Sequence, residues 1–292
     1  MKQRIHFDDQ ISRNKTKSMF LIFGIFIAFI VLGYVISMAF DPGYFFVIMI
    51  ASIVISILYI WISYYNSDKI AIASVRAKEA KVSEYKMFHS IVEALTVASG
   101  LPKPKLYVMN SSQINAFASG RDPRHSVICV TTGALEKLNK DELEGVLAHE
   151  LSHIANYDIR FMTIASVMVG MIAIVSEIFL RSLWFKSGGD DNKGNAIFLV
   201  IGIVLAILAP IVVQLVQLSI SRKREYVADA NAVKFTRYPG GLIKALKKIQ
   251  NDSVVEKKVP KTVAPMFFSN PLRNLASTHP PLEKRIQALE GM

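Results

Sequence analysis

Two long runs free of charge open the chain. Residues 19–40 contain no Asp, Glu, Lys or Arg, and after Asp41-Pro42-Gly43 a second uncharged run fills residues 44–66. At about 1.5 Å per residue, either run as a helix is long enough to cross a hydrocarbon core about 30 Å thick. The linker between them is short, so the pattern predicts a tight transmembrane helical hairpin. A third apolar run begins at residue 161 and is closed by Glu177, with Arg181 one turn on. It is short for a span, and a buried or interfacial helix is the alternative. The loop-like stretch Ser187-Gly188-Gly189-Asp190-Asp191-Asn192-Lys193-Gly194 follows, with no strand or Lys-Ser/Thr pair to make it a phosphate cradle. A fourth run, uncharged from residue 195 through 221, spans easily, with Pro210 as a candidate kink.

Between the paired runs the periodicity changes. In residues 69–99, Ile, Val and Leu recur at three- and four-residue spacing among Lys and Glu, which predicts one mostly soluble helix ended by Gly100-Leu101-Pro102. Short strand-like pieces follow at residues 105–109 and 126–131, with Asn115-Ala116-Phe117-Ala118 between them, so a small sheet is expected. Asn139 with Glu142 three residues on forms a capping-box pattern and predicts a helix start.

Composition sharpens this picture. Of 292 residues 52% are hydrophobic and only 20% charged, which excludes a disordered, fibrous or ordinary soluble chain. The net charge of +11 would raise nucleic acid in a soluble protein. Here Lys2, Arg4, Arg13, Lys15 and Lys17 precede the first hairpin and Lys69, Arg76, Lys78 and Lys81 follow it, while its tip has no basic residue. The positive-inside rule therefore places both ends in the cytoplasm, and nothing resembles a nucleic-acid motif. The length of the first run and the span directly after it argue against a cleaved signal peptide. Cys129 is the only cysteine, so no intrachain disulfide exists and a buried structural thiol is expected.

The chemistry concentrates in His149-Glu150-Leu151-Ser152-His153. Helical residues four apart share a face, so both imidazoles can bind one cation, and Glu150 can reach a water on that cation without being a ligand. Zinc lowers the pKa of such a water to about 7, and the carboxylate then serves as general base for attack on a carbonyl. A third ligand is required, and Glu225 in Ser221-Arg222-Lys223-Arg224-Glu225-Tyr226-Val227-Ala228-Asp229 is the candidate. Asp229, on the same helix face, is suited to hold the distal nitrogen of a ligating histidine. Topology constrains the pairing. His153 lies just before the third apolar run and Glu225 just after the fourth, so the ligands meet only if the chain between them crosses the bilayer an even number of times. His6, His89 and His125 lack ligand spacing. Phe267 and Phe268 read as core, with a substrate groove as the alternative. A structural zinc scaffold is the rival function, but it would favour four protein ligands and cysteine.

These motifs resemble the HtpX type of integral-membrane zinc protease and, more distantly, the CAAX prenyl proteases. The resemblance rests on Asn115-Ala116-Phe117-Ala118, the His149–His153 motif with Asp158, the segment from Arg222 to Asp229, and Thr278-His279-Pro280-Pro281. It covers the chain from about residue 66 to the end. It implies a mainly α membrane protein with four transmembrane helices and a cytosolic zincin-like α+β metallopeptidase domain holding one Zn2+ through His149, His153 and Glu225. The expected order is a cytosolic tail at 1–18, a hairpin at 19–66, the first part of the zincin domain at 67–159, a second hairpin at 160–220, and the rest of the domain at 221–292. The resemblance further implies endopeptidase action on damaged or misfolded membrane proteins at a bacterial inner membrane, with Glu150 and His279 catalytic. His279 would donate to the developing oxyanion, and residues 115–118 would form the edge strand along which substrate pairs. The oligomeric state stays open, a homo-oligomer included.

Overall fold

The computed structural model describes residues 7–39, 42–164, 202, 222–252, 267–268 and 280–292. All but the start of the third apolar run, nearly all of the fourth, the loop at 187–194 and His279 lie outside the described residues. The two opening runs form helices α1 (Phe7–Ala39) and α2 (Phe45–Tyr65), joined through a 3-10 turn at Pro42–Tyr44. Both contain stretches long and apolar enough to cross a membrane. The burial of α2 is inverted relative to a soluble helix. Phe46, Val47, Ile50, Ile55, Ile57 and Trp61 are exposed, whereas its buried residues are Ser56 and Ser63. That pattern suits a lipid surround, where apolar side chains face outward and small residues allow helices to approach. Gly33 of α1 meets Ser52 of α2 so closely that a Cβ there would fall within 2.0 Å of the serine Oγ. Helix α1 also extends N-terminally beyond its apolar run, and Asn14 and Ser18 on that extension are buried.

After α2 the chain departs from the single helix expected over 69–99. Helix α3 (Ser67–Ser74) stops early. Ala77 N donates to Ile72 O and Arg76 N to Ala73 O, with Arg76 left-handed at φ 52°, the bond pattern of a Schellman stop with arginine in the usual glycine place. The chain then enters β1 (Lys78–Glu79), which pairs with residues of β2 (Lys105–Met109), and only afterwards forms α4 (Lys86–Ser99). The long-range ladder overrides local helical propensity. Helix α4 buries Phe88, Ile91, Val92 and Leu95 on one face and ends at Gly100, left-handed at φ 71°, as its sequence predicted.

The sheet is completed by β3 (Ala116–Asp122) and β4 (His125–Thr131) in the order β1-β2-β4-β3. Strand β2 is parallel to β4 and the other neighbours are antiparallel. Both faces are covered. Leu106, Val108, Ala116, Ala118, Ile128 and Val130 join the main core, while Met109, Phe117, Val127 and Cys129 pack with Ala71, Ile72, Met162 and Phe267 on the opposite face. Cys129 is fully buried, and burial pushes its thiol pKa up, so it is the inert thiol the sequence suggested.

A short helix α5 (Thr132–Lys137) leads to α6 (Lys140–Ala155), the central helix of the domain. The predicted capping box is present: Glu142 N donates to Asn139 Oδ1 at 2.9 Å and Asn139 N to Glu142 Oε2 at 2.8 Å. Residues 158–164 are again helical. The described chain resumes with α7 (Arg222–Thr236), α8 (Pro239–Asn251) and α9 (Leu282–Glu290). Helices α7 and α8 pack on α6, and α9 packs on both α7 and α8.

Candidate metal centre

Helix α6 carries His149 and His153 one turn apart, and α7 brings Glu225 against them. The histidine Nε2 atoms face each other at 3.1 Å. Glu225 Oε2 lies 3.7 Å from His149 Nε2 and its Oε1 3.6 Å from His153 Nε2. All three side chains are buried. A tetrahedral ion with arms of about 2.0–2.1 Å has ligand-to-ligand edges of about 3.3 Å. The three separations bracket that value, and two imidazoles with a carboxylate are a zinc-type donor set, so the residues fit the ion. Among the described residues, this trio is the group able to hold a metal.

Each imidazole is held from behind. His149 Nδ1 lies 2.9 Å from Asp229 Oδ1, and His153 Nδ1 lies 3.1 Å from Asp158 Oδ2. An ionised carboxylate only accepts, so both histidines carry hydrogen on Nδ1 and aim Nε2 into the site. Asp229 therefore has the predicted position. Asp158, known from sequence only as part of a motif, does the same for the second ligand.

Arg285 on α9 was not legible as a site residue. It is completely buried, with Nη2 2.6 Å from Asp229 Oδ1, Nε 2.9 Å from Asp229 Oδ2, and Nη1 3.5 Å from Glu225 Oε2. One guanidinium thus balances two buried carboxylates. In the sequence it stands within Leu282-Glu283-Lys284-Arg285, where nothing separates it from a solvated charge. The ring of Phe268 lies under that guanidinium at 4.7 Å and edge-on to His149 at 4.8 Å. Phe267 and Phe268 are therefore buried, and Phe268 also walls the metal seat.

The electrostatics separate the two ligands. His149 is pushed down to about 4, first by burial and then by Arg285, so it is neutral. For His153 burial acts in the same direction, but the hydrogen bond it donates to Asp158 and the charges of Glu225, Asp158 and Glu150 outweigh it and raise the group to about 9. Glu150 is 2% exposed, and burial, helped by Glu225, raises it to about 7. Asp229 is held below its usual range: burial opposes this, but Arg285 and His149 prevail.

The predicted substrate-binding segment lies beside this centre. Strand β3 is one of the two edge strands, and the Ala118 backbone amide donates to Glu150. Asn115, Ala116, Phe117 and Ala118 are all buried. Asn115 Oδ1 accepts from Ala116 N at 3.0 Å. Part of the free edge is occupied by the chain itself: Phe268 N donates to Ala116 O at 2.8 Å, and Phe117 bridges Phe267. Away from the site, His89 bonds Ala80 O and His125 bonds Asp122, so both behave as ordinary histidines.

Comparison with known proteins agrees with this geometry. Peptidase family M48 matches residues 82–292. A protease HtpX homolog from Caldanaerobacter subterraneus is 43% identical over 301 residues, covering 100% of this chain and 99% of its own. One from Dictyoglomus thermophilum is 41% identical, covering 98% and 95%, and one from Listeria monocytogenes is 40% identical, covering 97% and 99%. Among solved structures, the crystal structure of S. mikatae Ste24p superposes with a TM-score of 0.51 at 22% identity, over 96% of this chain and 66% of that one. That likeness concerns the fold.

Proposed function

The chain belongs to peptidase family M48, and from that membership and the geometry of its metal seat we propose a specific activity. It is a membrane-bound, zinc-dependent endopeptidase that cleaves damaged or misfolded membrane proteins at the cytosolic face of a bacterial inner membrane. The observation that carries the reading is the convergence of two Nε2 atoms and the Glu225 carboxylate, each imidazole braced by its own aspartate, with Glu150 alongside.

His149, His153 and Glu225 would hold the ion. Bound there, zinc would supply a water with its pKa lowered to about 7 and a Lewis acid for the scissile carbonyl. Glu150, buried beside the ligands and raised toward neutral pH, is placed to serve as general base and to pass a proton to the leaving amine. Asp229 and Asp158 fix the tautomers and ring angles of the ligands, and Arg285 keeps Asp229 ionised in a buried setting and stands against Glu225. The part of the β3 edge that Phe268 and Glu150 leave open would offer backbone groups to an extended substrate, a mode that demands little of side-chain sequence and so suits a broad protein-clearing role.

Glu150→Gln tests the reading. It is expected to leave zinc bound while lowering cleavage of an unfolded substrate protein by about 10²–10⁴-fold, the usual contribution of a general base. Undiminished cleavage, with contaminating protease excluded, refutes the role of Glu150. Absence of zinc from purified wild type refutes the metal.

A further inference from the structure

The base of α1 reaches the metal centre. Asn14 is 6% exposed, and its amide nitrogen donates to Asn156 O at 2.9 Å and to Asp158 Oδ1 at 2.8 Å. An amide nitrogen has two hydrogens, and both are used. The acceptors flank Tyr157, where the chain leaves α6 and turns into the helical residues 158–164. Tyr157 is left-handed at φ 58°, a conformation disfavoured for an L residue with a large side chain. Lys15, next to Asn14, lies 4.5 Å above the Tyr157 ring, and Arg160 lies 5.2 Å from it. Two adjacent residues of the first membrane helix thus clamp one strained elbow.

That elbow aims Asp158. One carboxylate oxygen of Asp158 meets His153 Nδ1, while the other takes the Asn14 amide and lies 3.4 Å from Arg224 Nε, beside the third ligand. The link from membrane helix to ligand is therefore Asn14, Asp158, His153, spanning 144 residues of sequence in its first step.

We propose that Asn14 is a positioning residue for the metal centre, tying the seating of the first membrane helix to the grip on zinc through Asp158 and His153. This rests on the zinc reading above. Helix α1 is then more than an anchor. When its base is docked, His153 is held square to the ion; when the base lifts away, the elbow loses both hydrogen bonds and Asp158 is left to His153 and Arg224 alone.

The test measures the zinc dissociation constant of the full chain in detergent by competition with a chromophoric chelator. Asn14→Leu keeps the branched shape and removes the donors; Asn14→Asp sets a carboxylate against Asp158. Removing a residue that braces a metal ligand typically costs 10–100-fold in affinity. The expected weakening is about tenfold for Asn14→Leu and more for Asn14→Asp, with Thr16→Ala, exposed on the same helix, unchanged. Asn14→Ser replaces the leucine variant if that one does not accumulate, with the same outcome expected. In an Asp158→Asn background, Asn14→Leu is expected to add little. A merely structural asparagine would lower the unfolding temperature and leave zinc affinity alone. Wild-type affinity in the Asn14 variants overturns the proposal while the metal reading stands, as does full additivity with Asp158→Asn. A wild type without zinc overturns both.

Discussion

An imidazole binds a metal through a free lone pair, and the two ligands differ in how they come to offer one. His149 is already neutral, held near 4 by burial and Arg285. His153 keeps a proton up to about 9, and its Nε2 can donate that proton across 3.1 Å to His149 Nε2. Zinc must displace it. Below about pH 9 binding therefore releases one proton, and apparent affinity is expected to rise about tenfold per pH unit between pH 6 and 8, levelling above 9. Chelator competition at three pH values checks this, and a flat profile contradicts it. The linkage has the opposite sense for the metal-free fold. A histidine raised from 6.5 to about 9 stabilises below 6.5, and that stability is lost as pH climbs through 9. Arg285→Met exposes a related dependence. It leaves Asp229 buried without the guanidinium that neutralises it, and removing one partner of a buried pair costs about 3–5 kcal/mol. Thermal unfolding of the metal-free variant is expected to show that loss.

At the scale of elements, the metal helix is positioned by backbone contact as much as by side chains. Where α6 crosses α8, a Cβ on Gly145 would stand 2.6 Å from Leu242 N, and one on Gly241 would stand 2.3 Å from Asp141 O. The two helices touch through paired glycines, so neither side can yield by rotating a side chain. Gly145→Ala is expected to destabilise by about 1–3 kcal/mol, the usual cost of overpacking. Because α8 also packs against α7, which carries Glu225, zinc affinity should fall with it. Melting curves with and without zinc measure both effects. Neither glycine declares this in sequence, and that contrast marks what was readable. The capping box at Asn139, the four-residue histidine spacing, the stop at Gly100 and the short strand-like runs that became β2 and β4 are local patterns, and all are present. The break at Arg76, the strand pairing of Lys78 and Glu79, the guanidinium of Arg285 and the bridge from Phe267 to Phe117 depend on partners distant in the chain. No local period encodes them.

For the whole molecule, the proposed membrane setting turns the meeting of His153 with Glu225 into a prediction about topology. The two ligands flank the chain between residues 164 and 222, yet they share one site, so α6 and α7 face the same aqueous side. The hairpin of α1 and α2 gives that side a marker at its tip, Gly43, which should lie on the other. A ring of basic and aromatic groups fits the boundary. Arg121 lies 4.9 Å from the Tyr65 ring and donates to Tyr65 O, and Arg160 lies 5.8 Å from the Tyr64 ring, at the end of α2 where headgroups belong. The chain can report its own topology, because Cys129 is buried with its thiol pKa pushed up and should not label. Single cysteines at Gly43, Lys140 and Lys223 then complete the measurement. In spheroplasts an impermeant maleimide is expected to modify position 43 alone; in inverted vesicles it should modify 140 and 223 and spare 43. Labelling of 140 and 223 from opposite sides would separate the ligands by a membrane, and no zinc could bridge them.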